Sequence, residues 1–171
     1  KSLGFDYYVK LLKDAINEEK GEKEFEAQID IDFDYYIPQD FIKDPTERLN
    51  IYLAVSKAED YQEIEQLRLY LKEFYDDLPK AFDLYLVVSE LKKLLSELKI
   101  KKLYTKSDLA YIQPSEETNP EIILKFIEIL NPKKVEKEKI IFEMNSLEEL
   151  KEKVLTVAKT TKESIIKDII F

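Results

Sequence analysis

Any chemistry in this chain would have to come from carboxylates, lysines and hydroxyls, because it contains no histidine and no cysteine. That removes the commonest general base, the imidazole metal ligand, the thiolate nucleophile and every Ser-His or Cys-His pair. The only glycines are Gly4 and Gly21, so neither a G-x-x-x-x-G-K-[ST] loop nor a G-x-G-x-x-G loop exists to cradle a phosphate. Asp30, Asp32 and Asp34 alternate along one segment and could offer oxygen ligands to a hard cation. The run lacks the turn glycine of a calcium loop, and D-x-D-x-D on a strand face reads as solvated surface. No catalytic residue, metal ligand or cofactor site is assigned.

Aromatic side chains are the other resource, since they concentrate binding energy at protein interfaces. Tyr35, Tyr36, Phe74, Tyr75 and Tyr85 suit either an interface or a core. The net charge of −9 is unevenly spread: residues 1–77 hold 10 basic and 20 acidic residues, residues 78–171 hold 17 and 16. An acidic half repels duplex phosphates and attracts a basic protein surface, which argues against DNA binding and for a protein partner. The doublets Lys101-Lys102 and Lys133-Lys134 are too small for a nucleic-acid footprint. The longest apolar runs, such as 84–88, fall well short of the roughly 20 residues that span a bilayer. A protein of the cytoplasm without a membrane segment or a disulfide framework is expected.

Hydrophobic periodicity then places these groups on elements. Phe5, Tyr8, Leu12 and Ala15 share a helical face ahead of Gly21, so residues 1–24 read as a linker helix preceding a domain of residues 25–171. Residues 25–33 alternate apolar and polar at every position, the pattern of a strand with one buried face, and Pro38 takes the chain out of the sheet. Asp44-Pro45-Thr46-Glu47 starts a helix to about residue 58. A second, over about 60–77, carries Ile64, Leu67, Leu71, Phe74 and Leu78 as a core-facing seam, and Pro79 opens a third to about residue 98. The period then changes to two, predicting a hairpin over 100–113, a short helix from Asn119 to Leu130 and two short strands around Val135 and 140–144. Ser146-Leu147-Glu148-Glu149 caps a long last helix striped by Leu147, Leu150, Val154, Val157, Ile165 and Ile169. The expected class is α+β: a helical N-terminal part, a small antiparallel sheet packed with helices, and a long C-terminal helix.

Ile37-Pro38-Gln39-Asp40-Phe41-Ile42, followed by Arg48-Leu49 and Tyr52, resembles the I/L-P-x-D/E-Y/F-I then R-L-x-x-Y pattern of the C-terminal domain of bacterial transcription-repair coupling factors, the Mfd family. Upstream, Gly4-Phe5 and Tyr8 are similar to the G-F-x-x-Y helix that leads out of that family's motor; downstream, Leu78-Pro79 also matches. One departure stands out. Where the family has E-L-x-D-R-F-G before its L-P, this chain has Tyr70-Leu71-Lys72-Glu73-Phe74-Tyr75-Asp76, without the Arg or the Gly.

The resemblance implies a fragment of a larger protein that engages stalled RNA polymerase, translocates on DNA with ATP and Mg, and recruits UvrA. This fragment would itself be no enzyme and carry no cofactor; it would latch onto a UvrB-like N-terminal module, mask the UvrA-binding surface and restrain the motor. The lack of an initiator Met suits a fragment. By position the latch corner would run from Arg68 to Asp77. Tyr70, Glu73 and Arg68 fall off the seam and should face outward, whereas Phe74 lies on it. A free-standing acidic adaptor without catalysis is the alternative of a different class.

Overall fold

The computed structural model describes residue 11 and residues 25–170. They form two compact units: the first takes in Phe33–Glu90, the second Phe25–Asp32 and the chain from Leu91 onward.

The first unit is helical. In α1 (Pro45–Lys57), the Asp44 carboxylate accepts from the Thr46 amide at 2.9 Å and Pro45 fills the first position, where a missing N–H costs nothing. In α2 (Tyr61–Phe74), Asp60 accepts from the Glu63 amide at 3.0 Å, while the Glu63 carboxylate accepts from the Glu59 amide. α3 (Lys80–Glu97) gives its residues through Glu90 to this unit and the rest to the second. Its apolar positions lie on more than one face, and Phe82, Leu86 and Val87 in the first unit and Leu91, Leu94 and Leu95 in the second are all buried. The core joins Ile37, Ile42, Tyr52, Ile64, Leu71, Leu78, Phe82 and Leu86.

The second unit is a five-stranded sheet of order β1-β2-β3-β5-β4, built from β1 (Gln28–Asp30), β2 (Ile100–Lys106), β3 (Leu109–Pro114), β4 (Lys134–Glu136) and β5 (Lys139–Glu143). β2 and β3 form the expected hairpin, Leu103 opposite Ile112, with Ser107 at φ 57° in the turn. The sheet is mixed rather than wholly antiparallel: β1 runs parallel to β2, Gln28 opposite Lys102 and Asp30 opposite Tyr104. A parallel pair needs a long crossover, and residues 31–99 supply it. Only three residues of the alternating 25–33 segment pair; Ala27 and Ile31 are buried and Phe33 is exposed. At the other edge β4 is short, exposed at each position and carries Lys134 and Glu136, which discourages further strand pairing.

Helices α4 (Pro120–Leu130) and α5 (Leu147–Ile170) complete the second unit. Asn119 caps the first, accepting from the Glu121 amide at 2.9 Å, and Asn131 ends it at φ 49°. Ser146 Oγ accepts from the Glu149 amide at 3.1 Å to start the second. The α5 stripe is buried at Leu147, Leu150, Val154 and Val157, but Ile165 and Ile169 are exposed, contrary to the expected continuous seam. The buried part of the helix ends at Thr161, and the residues after it are exposed or half-buried.

Among the described residues no helix is long and apolar enough to cross a membrane. None of their acidic groups, Asp30, Asp32 and Asp34 included, gathers into a cluster able to hold a metal ion.

Candidate partner interface

The corner that ends α2 is shaped by backbone geometry. The Asp77 amide donates to the Lys72 carbonyl at 2.8 Å and the Asp76 amide to the Glu73 carbonyl at 3.4 Å. This crossed pair is a Schellman cap, and it requires a left-handed residue just past the helix, here Asp76 at φ 53°. Asp77 is also left-handed, at φ 94°, and its carboxylate accepts from the Leu78 amide at 2.8 Å. The helix thus stops at Phe74, three residues before the sequence spacing suggested.

That early stop relocates Phe74. The seam places it in the core with Ile64 and Leu71, yet it is 66% exposed while both of those are buried. After the reversal, Leu78 enters the core and Tyr75 packs against it. Phe74 instead stacks on Tyr70, with ring centroids 5.9 Å apart at 21°. Tyr70 is 60% exposed, and so is its neighbour Leu69, which was not among the expected corner residues. The signal for Leu69 was its place beside Tyr70, off the Ile64–Leu67–Leu71 seam.

The exposed rings are not loose. Phe74 meets Tyr75 edge-on at 4.8 Å, Tyr75 meets Phe41 at 5.1 Å, and Phe41 meets the buried Phe82 at 6.0 Å. A ladder of aromatic contacts therefore ties the surface patch to the core. Burial, with the negative Glu47 and the neighbouring Tyr70, raises the Tyr75 hydroxyl above its ordinary pKa, so it stays neutral at physiological pH.

Arg68 does not join the outward surface as expected. Its Nε and Nη2 donate to Asp83 Oδ1 and Oδ2 at 2.7 and 3.0 Å, and only 12% of its side chain is exposed. Lys72 reaches the same carboxylate at 3.3 Å. Burial would raise the Asp83 carboxyl, but the Arg68 hydrogen bonds and charge, joined by Lys72, outweigh it and hold the group below its ordinary value. Glu73 and Asp77, the other two proposed corner residues, are exposed.

Several of the motif residues make contacts inside the first unit. The buried Arg48 donates through Nη1 to the Ile42 and Lys43 carbonyls at 2.6 and 3.1 Å, fastening the turn that Pro38 begins. Within that turn the Phe41 and Ile42 amides both donate to the Pro38 carbonyl at 3.2 Å, and Asp40 is exposed. The Ile37 amide donates to the buried Tyr52 hydroxyl at 2.8 Å, and Leu49 packs on the same core. Pro79 offers its carbonyl to the Asp83 amide at 3.0 Å at the head of α3. Gly4, Phe5 and Tyr8 lie outside the described residues.

This motif-bearing stretch is where a known family is found. The family model described as the TRCF domain matches residues 31–123. The chain belongs to that family. It is 29% identical over 125 residues to the transcription-repair-coupling factor of Bacillus subtilis, covering 71% of this chain and 11% of that protein. To the Borreliella burgdorferi protein of the same name it is 30% identical over 110 residues, covering 63% and 10%. The chain thus spans about a tenth of the length of these relatives. Its fold is similar to a crystal structure of the C-terminal domain of transcription-repair coupling factor, with a TM-score of 0.64 at 18% identity over 80% of this chain and 98% of that one.

Proposed function

We propose that this TRCF domain is a regulatory module of a longer transcription-repair coupling factor and acts by intramolecular protein contact, without catalysis of its own. The corner formed by Leu69, Tyr70, Glu73 and Phe74 is the contact surface; Asp77 lies at its rim, and Arg68 supports it from beneath. The observation carrying this reading is the exposed, core-anchored stack of Tyr70 and Phe74, since large aromatic side chains held rigidly at the surface are the usual hot spots of protein interfaces. In the closed parent, the corner rests on a UvrB-like N-terminal module, hides the UvrA-binding surface and restrains the translocase. ATP, Mg, RNA polymerase and DNA are handled by other parts of the parent, and the whole works in the cytoplasm.

The test is the double substitution Tyr70→Ala/Phe74→Ala in the full-length parent. Removing about 1 to 3 kcal/mol of contact energy shifts a closed state towards an open one by roughly 5- to 150-fold, so UvrA affinity and DNA-stimulated ATPase should both rise. Unchanged values in a folded mutant would reject the corner as the latch. A free-standing adaptor is the rival reading, resting on the acidic composition of residues 1–77; helicase motifs encoded upstream of Lys1 would exclude it.

A further inference from the structure

The chemistry of the surface that meets this corner can be read from the corner itself. Leu69, Glu73 and the row formed by Tyr70 and Phe74 make a convex ridge along the last two turns of α2, with the exposed, uncharged Gln62 and Gln66 extending it towards the N-terminus. Residues four apart on a helix form the rows that fit between the rows of a second helix, so the ridge suits an apolar helical seam. The charges of the corner are one-sided. Its two cations, Arg68 and Lys72, are both bound to Asp83, whereas its three acids, Glu73, Asp76 and Asp77, are exposed beside the rings. A partner matching apolar centre to apolar centre must therefore bring positive charge to the rim.

We propose that the corner docks a helix whose apolar seam is flanked by lysine or arginine, with Leu69, Tyr70 and Phe74 as the anchors and the three acids as the guide for charge. This rests on the contact surface proposed above and adds the character of what lies on it. The aromatic anchors carry affinity; the acidic rim carries discrimination against an acidic helix of the same shape.

The test uses the 171-residue chain and two model peptides, 16-residue helices with an identical leucine face and either lysine or glutamate elsewhere. Titration followed by backbone amide shifts and by anisotropy of a labelled peptide should show the lysine helix binding at least tenfold more tightly, with the largest shifts at Leu69, Tyr70 and Phe74. Because a chain of net charge −9 attracts any polycation, two variants decide where it binds. Phe74→Ala should weaken binding of the lysine helix about tenfold, and Glu73→Lys should narrow the preference between the peptides several-fold, each with unchanged circular dichroism. Equal binding of both peptides, or a Phe74→Ala variant that binds like the unchanged chain, overturns the proposal. Neither result touches the regulatory reading, which stands or falls on UvrA affinity and ATPase in the parent.

Discussion

Arg68 grips Asp83 with two arms of its guanidinium, at 2.7 and 3.0 Å, and so ties α2 to α3 beneath the exposed corner. A bidentate pair in a partly buried setting exceeds an ordinary surface ion pair, and Asp83→Asn should cost about 1 to 2 kcal/mol at neutral pH. The loss should depend on pH in a defined direction. A carboxyl held below its ordinary value in the fold stabilises it above the unfolded pKa, about 3.9, and that contribution is lost as the pH falls through the folded value. Urea unfolding of both proteins at pH 7 and pH 3 should show the gap closing on acidification. A gap of equal size at both would mean that the ion pair is not its source.

Phe74→Ala should leave the fold nearly untouched, with a change within about 0.5 to 1 kcal/mol, because most of the ring already faces water. Ile64→Ala, on the same helix and fully buried, should cost about 2 to 5 kcal/mol through the cavity it leaves. Denaturant midpoints of the two variants give the comparison directly. Equal losses would return Phe74 to the core and remove the ridge.

The contrast between these two residues shows what the sequence could and could not convey. Helix starts were legible because their signals are local: Asp44-Pro45, Asn119-Pro120 and Ser146-x-x-Glu149 each satisfy orphan amides within one turn. The α2 stop was not, since Asp76 and Asp77 carry no glycine to announce a left-handed cap, and the seam spacing ran on through it to Leu78. The outward setting of Tyr70 and Glu73 followed from helical angle alone. That of Arg68 did not, because a long side chain can turn from its own face to reach a carboxylate on the next helix. Strand alternation located the sheet segments but is silent on pairing direction, so the parallel β1 emerged only from the topology.

Tyr52→Phe should destabilise the first unit by about 1 to 2 kcal/mol while keeping its packing, because the variant removes the acceptor for the Ile37 amide and leaves a buried donor without that bond. The T-shaped contact of this ring with Tyr85, at 4.9 Å, needs no hydroxyl and should survive. Amide hydrogen exchange at Ile37 is the specific readout: it should quicken far more than exchange at Leu71, which lies in the same core. Uniform acceleration across the core would instead indicate a general loosening and would deny the hydrogen bond a local role.

Asp76→Gly should stabilise the chain, and for two separable reasons. An L-residue at φ 53° bears a steric cost of about 1 kcal/mol or somewhat less for Asp, whose short side chain tolerates this region; glycine bears none, though its freer unfolded state returns part of the gain. The Asp76 carboxylate also sits at the negative end of the α2 dipole, where an anion costs roughly 0.3 to 1 kcal/mol. Asp76→Asn removes the charge and keeps left-handed tolerance, so it should gain only the second contribution. Asp76→Val removes the charge but adds β-branching at positive φ, and it should lose about 1 to 2 kcal/mol despite the electrostatic gain. The expected order of stability is Gly, Asn, Asp, Val, with Gly above Asp by about 0.5 to 1 kcal/mol, which for a chain of this size raises Tm by only about 1 to 4 °C. Chemical unfolding at low and high salt separates the causes: salt should shrink the Asn advantage and leave the difference between Gly and Asn standing. A valine variant as stable as the aspartate would show that residue 76 does not hold the left-handed cap in solution.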